Sequence, residues 1–270
     1  MNERSRHWDT AVVVGGVLIA GLTLRAYRGF DVPSGNPTRN RLPLWQARST
    51  VNSATAYLHS NPDDFNAWSQ LAIAYFSLGP DSYPDAMNAL EKARALGSTS
   101  EALYYYAGVM DEALGLPEYA INELSKFLRH HPDDYDTQMH LANLLTQQKK
   151  YEDAFRYYQE LAKRDPRDPT LWFNFALVCK EKGDLDGSLA AFGKLHQLVK
   201  ELPEGGLYQE GEVWRLKGSD DQAIAFYQQE ISHHPSFMDA YVSLEAAQRR
   251  RGLTKEARET RKTITALKAK

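Results

Sequence analysis

Residues 132–166 read PDDYDTQMHLANLLTQQKKYEDAFRYYQELAKRDP, two helix-length stretches enclosed by prolines 34 positions apart. Pro62, Pro132, Pro166 and Pro235 follow one another at spacings of 70, 34 and 69 residues, one or two multiples of the same unit. Proline cannot continue a helix, and a period near 34 residues is that of stacked helical hairpins. The reading therefore starts from a repeat rather than from domain size.

In register, the units begin near Phe65, Glu101, Tyr135, Pro169, Glu204 and Met238. The fourth place of each first helix holds Trp68, Tyr104, Trp172 and Tyr241, with Leu207 milder and Gln138 off pattern. A small residue follows at Ala72, Gly108, Ala142, Ala176 and Gly211, where two helices must approach closely; Glu245 breaks that slot. The turn carries Gly79, Gly115, Gly183, Gly218 and Gly252, with Lys149 as the exception. Second helices place Ala86, Ala120, Ala154, Ala223 and Ala257 against the first, then Leu90, Leu124, Tyr158, Phe192 and Tyr227 as bulk, with Ser188 and Arg261 as departures.

This pattern resembles the tetratricopeptide repeat over residues 61–270. The resemblance implies an all-α, right-handed superhelical solenoid of about six repeats. Residues 44–60 carry Trp45, Val51, Ala54 and Leu58 at helical spacing and read as an N-terminal capping helix. The final helix is basic: residues 249–270 hold nine Lys or Arg against two Glu, +7 in a chain of net charge -3. Solvation of a terminal helix accounts for that patch at Arg250, Arg251, Arg258, Lys262 and Lys268, and an anionic surface is the alternative.

The start of the chain is of another kind. After a tail at 1–9, residues 10–28 include AVVVGGVLIAGLTL, Ala11 to Leu24, fourteen residues without a charge; Trp8 to Tyr27 would make a bilayer-spanning helix with aromatic ends. No small-x-small cleavage site follows, which favours an uncleaved anchor over a secretory signal. Ala11 with Gly15, and Gly16 with Ala20, have the spacing at which two anchor helices pair, so a homodimer through the anchor is an alternative to a single copy. Residues 29–43 then form a polar linker. Counting Lys and Arg puts the array in the cytoplasm, whereas a layout resembling anchored translocon-associated and cytochrome-maturation repeat proteins puts it in the periplasm; an inner-membrane protein with a periplasmic array is expected.

No catalytic set stands out. Lone Cys179 falls on an inner helical slot and reads as core. His130-His131 and His233-His234 precede repeat prolines and read as helix C-terminal caps, while Asp63-Asp64 and Asp133-Asp134 read as N-terminal caps. Neither an enzyme, a cofactor, a metal site nor a nucleic-acid surface is expected.

The resemblance assigns positions 5, 9 and 12 of the first helices to a concave groove. Its lining would be Ile73, Phe76, Tyr105, Val109, Met139, Asn143, Phe173, Leu177, Lys180, Tyr208, Arg215 and Arg249, apolar in the middle and basic toward the C-terminal end. Large side chains at one slot suggest anchors for a partner segment. The expected function is a membrane-anchored scaffold that binds a protein partner in this groove. A constitutive subunit of a membrane complex, or a regulatory subunit in cell-envelope or cytochrome biogenesis, is the alternative.

Overall fold

The computed structural model describes residues 41–268. These are all-α: thirteen α-helices and one short 3-10 turn, with no strand among the described residues. The tail, the apolar stretch at 10–28 and all but the end of the linker lie outside them. Among the described residues, no helix is long and apolar enough to cross a membrane.

Two compact units divide the chain at Lys149 and Lys150. The first contains α1 (Leu44–Ser60), α2 (Phe65–Leu78), α3 (Tyr83–Ala95), α4 (Ala102–Ala113), α5 (Pro117–His130) and α6 (Tyr135–Gln147). Here α2 packs on α3 and α4 on α5 as hairpins, with α1 against α2. Gly108 shows why the small slot exists: a Cβ there would lie 2.7 Å from Leu124 Cγ of the facing helix. The end of the linker is fastened to this unit, since Leu42 N donates to Ser77 Oγ at 2.9 Å and Arg41 Nη2 to the Tyr83 hydroxyl at 2.6 Å.

The second unit contains α7 (Tyr151–Arg164), α8 (Pro169–Lys182), α9 (Leu185–Leu198), α10 (Gly206–Leu216), α11 (Asp220–His233), α12 (Met238–Arg250) and α13 (Thr254–Lys268). Its hairpins are α8 with α9, α10 with α11, and α12 with α13. Phe173, Ala176, Leu177, Phe192, Leu195 and Val213 form one apolar core; Ala223, Tyr227, Leu244 and Ala247 form another. Ser188 departs from the alanine slot but is fully buried, and its hydroxyl donates to the Ala176 carbonyl at 2.7 Å.

One hydrogen bond explains both the proline period and its apparent exception. Trp68 Nε1 donates to the Pro62 carbonyl at 2.8 Å, Trp172 Nε1 to that of Pro166 at 2.8 Å, and the Tyr241 hydroxyl to that of Pro235 at 3.2 Å. Gln138, off pattern as an aromatic, donates Nε2 to the Pro132 carbonyl at 2.6 Å. Where a repeat proline precedes the helix, the slot holds a donor that reaches six residues back. Caps complete these joints: Asp64, Asp134 and Asp168 each accept first-turn amides through Oδ1.

Three starts are built differently. α4 and α12 have no side-chain cap. α10 follows Leu202-Pro203-Glu204-Gly205 and is capped from elsewhere: Glu230 of α11, fully buried, accepts Gly205 N at 2.8 Å, Leu207 N at 3.1 Å and Tyr208 N at 3.3 Å.

Candidate functional site

The first-helix slots place their side chains less openly than the groove rule implies. In the first unit Phe76 and Met139 are fully buried, and Tyr105 and Val109 are also buried; only Ile73 and Asn143 are half-buried. Phe76 stacks on Tyr83 and Tyr105 packs at a tilt against Phe127, both from second helices. In the second unit Phe173 and Leu177 are 1% exposed, with Phe173 edge-on to Phe192. Six of the twelve expected lining residues are therefore core, because the facing second helix covers the side chain that the slot directs inward. Their assignment as partner anchors is corrected accordingly.

The charged residues of these slots are paired with polar neighbours. In the first unit His140 Nε2 lies 2.5 Å from Glu112 Oε2. In the second, Lys180 Nζ donates to Gln209 Oε1 at 2.7 Å and reaches Glu181 at 3.2 Å. Arg215 Nε donates to Glu212 at 2.9 Å, and Arg249 Nη2 to Glu245 at 2.8 Å. Burial pushes the Glu212 carboxyl up, but hydrogen bonds from Arg215 and Tyr227 outweigh it and hold the group below its ordinary value. Tyr208 is half-buried against Tyr227 and Phe237. The expected basic gradient is thus corrected to a face of alternating charges, with a carboxylate beside each cation. The signal was in the sequence as Glu212-x-x-Arg215 and Glu245-x-x-x-Arg249, spacings that bring side chains together on one helix face.

The basic patch is likewise divided. Arg250 binds Asp220 and Arg251 binds Asp221, each through two nitrogens. These pairs join the end of α12 to α11, while both guanidinium groups stay about half exposed. Lys262 pairs with Glu259 on its own helix at 2.9 Å; Arg258 and Lys268 are exposed on α13.

Three of the four histidines read as caps turn to carboxylates. His130 Nδ1 and His131 Nε2 each lie 3.0 Å from a Glu101 oxygen, and His234 Nδ1 lies 2.7 Å from Glu230. His196 Nε2 meets Glu210 Oε2 at 2.7 Å, and that bond raises the imidazole above its ordinary value. No cluster of His, Cys, Asp or Glu able to hold a metal occurs among the described residues. Cys179 is buried, and burial followed by the nearby charge of Asp184 pushes its thiol up to about 12, where it is no nucleophile.

Residues 111–169 and 150–203 match the tetratricopeptide repeat family model. The chain is 27% identical over 145 residues to BBSome complex member BBS4 of Xenopus tropicalis, covering 54% of this chain and 28% of that protein. It is 34% identical over 153 residues to the cytochrome c-type biogenesis protein CycH of Rhizobium meliloti, covering 55% of this chain and 40% of that protein. The chain thus spans well under half the length of these relatives. Among solved structures, YrrB, a TPR protein with a peptide-binding site described as unusual, superposes with a TM-score of 0.61 at 21% identity over 70% of this chain and 96% of that one. Residues 111–203 carry tetratricopeptide repeats, and the described residues share the fold of a solved tetratricopeptide-repeat protein.

Proposed function

We propose that this protein is a membrane-anchored scaffold that holds a protein partner at the bilayer against the paired-charge face of its first helices. The observation that carries the reading is that face itself: Lys180, Glu212, Arg215 and Arg249 reach its surface with both signs of charge, held from beneath by buried Gln209 and Glu245. Such a surface selects a partner by register and complementary charge rather than by apolar anchors. The uncharged stretch from Ala11 to Leu24 supports anchoring, with the array on the periplasmic side and anchor helices able to pair. Because the described chain is fastened from Arg41 onward, little more than the polar linker separates repeats from membrane.

A second reading, an accessory subunit in cytochrome c-type biogenesis, is favoured by the identity to CycH. In-cell crosslinking followed by mild-detergent purification tests both. A partner lost on charge reversal at Arg215 and Arg249 supports the scaffold. Salt-resistant recovery with haem-handling proteins at fixed stoichiometry supports the subunit. A chain extracted by carbonate without detergent overturns the anchored reading.

A further inference from the structure

The first unit contains a cavity of about 330 Å³ lined by Arg94, Ser98, Ser100, Tyr104 and Lys126. Its walls come from three helices and one loop: Arg94 ends α3, the serines lie in the loop that follows, Tyr104 opens α4, and Lys126 projects from α5. Every lining side chain can donate a hydrogen bond, and none is a carboxylate.

The two cations are held in place rather than left to wander. The Tyr104 ring centroid lies 5.2 Å from Arg94 Cζ and 5.7 Å from Lys126 Nζ. Buried Glu123 takes Arg94 Nη2 on one oxygen and Lys126 Nζ on the other, and exposed Glu91 takes Arg94 Nη1. These bonds occupy only part of the five N–H donors of a guanidinium and the three of an ammonium. Ser98 Oγ is tied to Ser69 Oγ at 3.2 Å, while Ser100 is exposed. The adjoining start of α4 has no side-chain acceptor for its first-turn amides, unlike α2, α6 and α8.

Glu123 cancels much of the local positive charge, so the cavity is not a long-range attractor of anions. What it offers is geometry: a guanidinium, an ammonium and the hydroxyls of two serines and a tyrosine around one space. That donor set suits a tetrahedral oxyanion better than a planar carboxylate, which a single arginine fork would satisfy. We propose that this cavity is a phosphoryl-binding site, occupied by free phosphate or by a phosphate monoester.

The test is calorimetric titration of the full-length protein in detergent with inorganic phosphate, with O-phosphoserine as a second probe and sodium chloride of matched ionic strength as the blank. Saturable binding is expected, weakened about tenfold by Lys126→Gln and by Ser100→Ala, the loss expected for one hydrogen bond to a charged group. Tighter binding of O-phosphoserine identifies a monoester as the source, and the reverse identifies free phosphate. Ser100 is exposed, so Ser100→Ala keeps the fold even if Lys126→Gln disturbs Glu123. Heats no larger than the chloride blank, or unchanged affinity in a folded Ser100→Ala protein, overturn the assignment.

Discussion

Arg261 Nε donates to Oε1 of buried Glu245 across 3.0 Å, joining the two positions at which the last hairpin leaves the repeat pattern. Glu245 stands on α12 where the other units have a small residue, and Arg261 stands on α13 where they have packing bulk. A second bond from Arg249 holds the same oxygen. Each departure makes the other tolerable, because a buried carboxylate without a partner is costly.

Arg261→Leu alone should lower stability by about 1 kcal/mol, since Glu245 keeps only Arg249. Glu245→Ala with Arg261→Leu should return close to the wild type. Urea unfolding of the double-mutant cycle measures the coupling; strictly additive single effects would show that the pair does not act together.

Lys149 has φ 58°, the only positive value at a non-glycine among the described residues, at the turn where other units place glycine. Lys149→Gly should raise stability by ~0.5–1 kcal/mol, the relief of left-handed strain less glycine's added chain entropy. Thermal or urea unfolding reads this directly, and a loss would show that the lysine side chain contributes more than its backbone costs.

Phe173 is core, so Phe173→Ala should destabilise the fold by about 3–5 kcal/mol. Arg258→Ala, exposed on α13, should stay within about 0.5 kcal/mol of the wild type. Comparable small losses at both would place Phe173 back on an open surface.

The hydrogen bond to Glu210 raises His196 above its ordinary value. A raised imidazole binds its proton more tightly folded than unfolded, so its stabilisation is complete below the unfolded value, near 6.5, and fades as pH rises through the folded one. Unfolding free energy should therefore fall between about pH 6 and 8, with a shallower fall in Glu210→Gln. Identical slopes would show that the bond forms equally in the unfolded chain.

The repeat was legible because close approach and helix capping demand particular residues at particular places. Phe65, Tyr135, Pro169 and Met238 each begin a helix, and Ala102 and Gly206 begin helices within two residues of Glu101 and Glu204. What a slot names, however, is a direction and not what lies there. Position 5 sends Tyr105, Met139 and Phe173 inward, and the covering helices decide that they are core. Gln138 looked wrong only while the fourth place was read as aromatic rather than as a donor. The pairing at the basic end was hidden for a related reason: Asp220 and Asp221 stand 30 residues before Arg250 and Arg251, so the partner belongs to the previous hairpin. Charge counted along one helix cannot show that.

Glu230 also sets a timetable. The first helices α2, α6 and α8 carry their closing carboxylates just ahead of them, available as soon as their own residues have left the ribosome. The start of α10 needs a carboxylate that emerges 25 residues after Gly205, so this hairpin must wait for nearly all of its second helix before the first can close. During synthesis the nascent chain would therefore pause, structurally, at one particular joint, and residues 199–219 are where a chaperone or a protease would find it open.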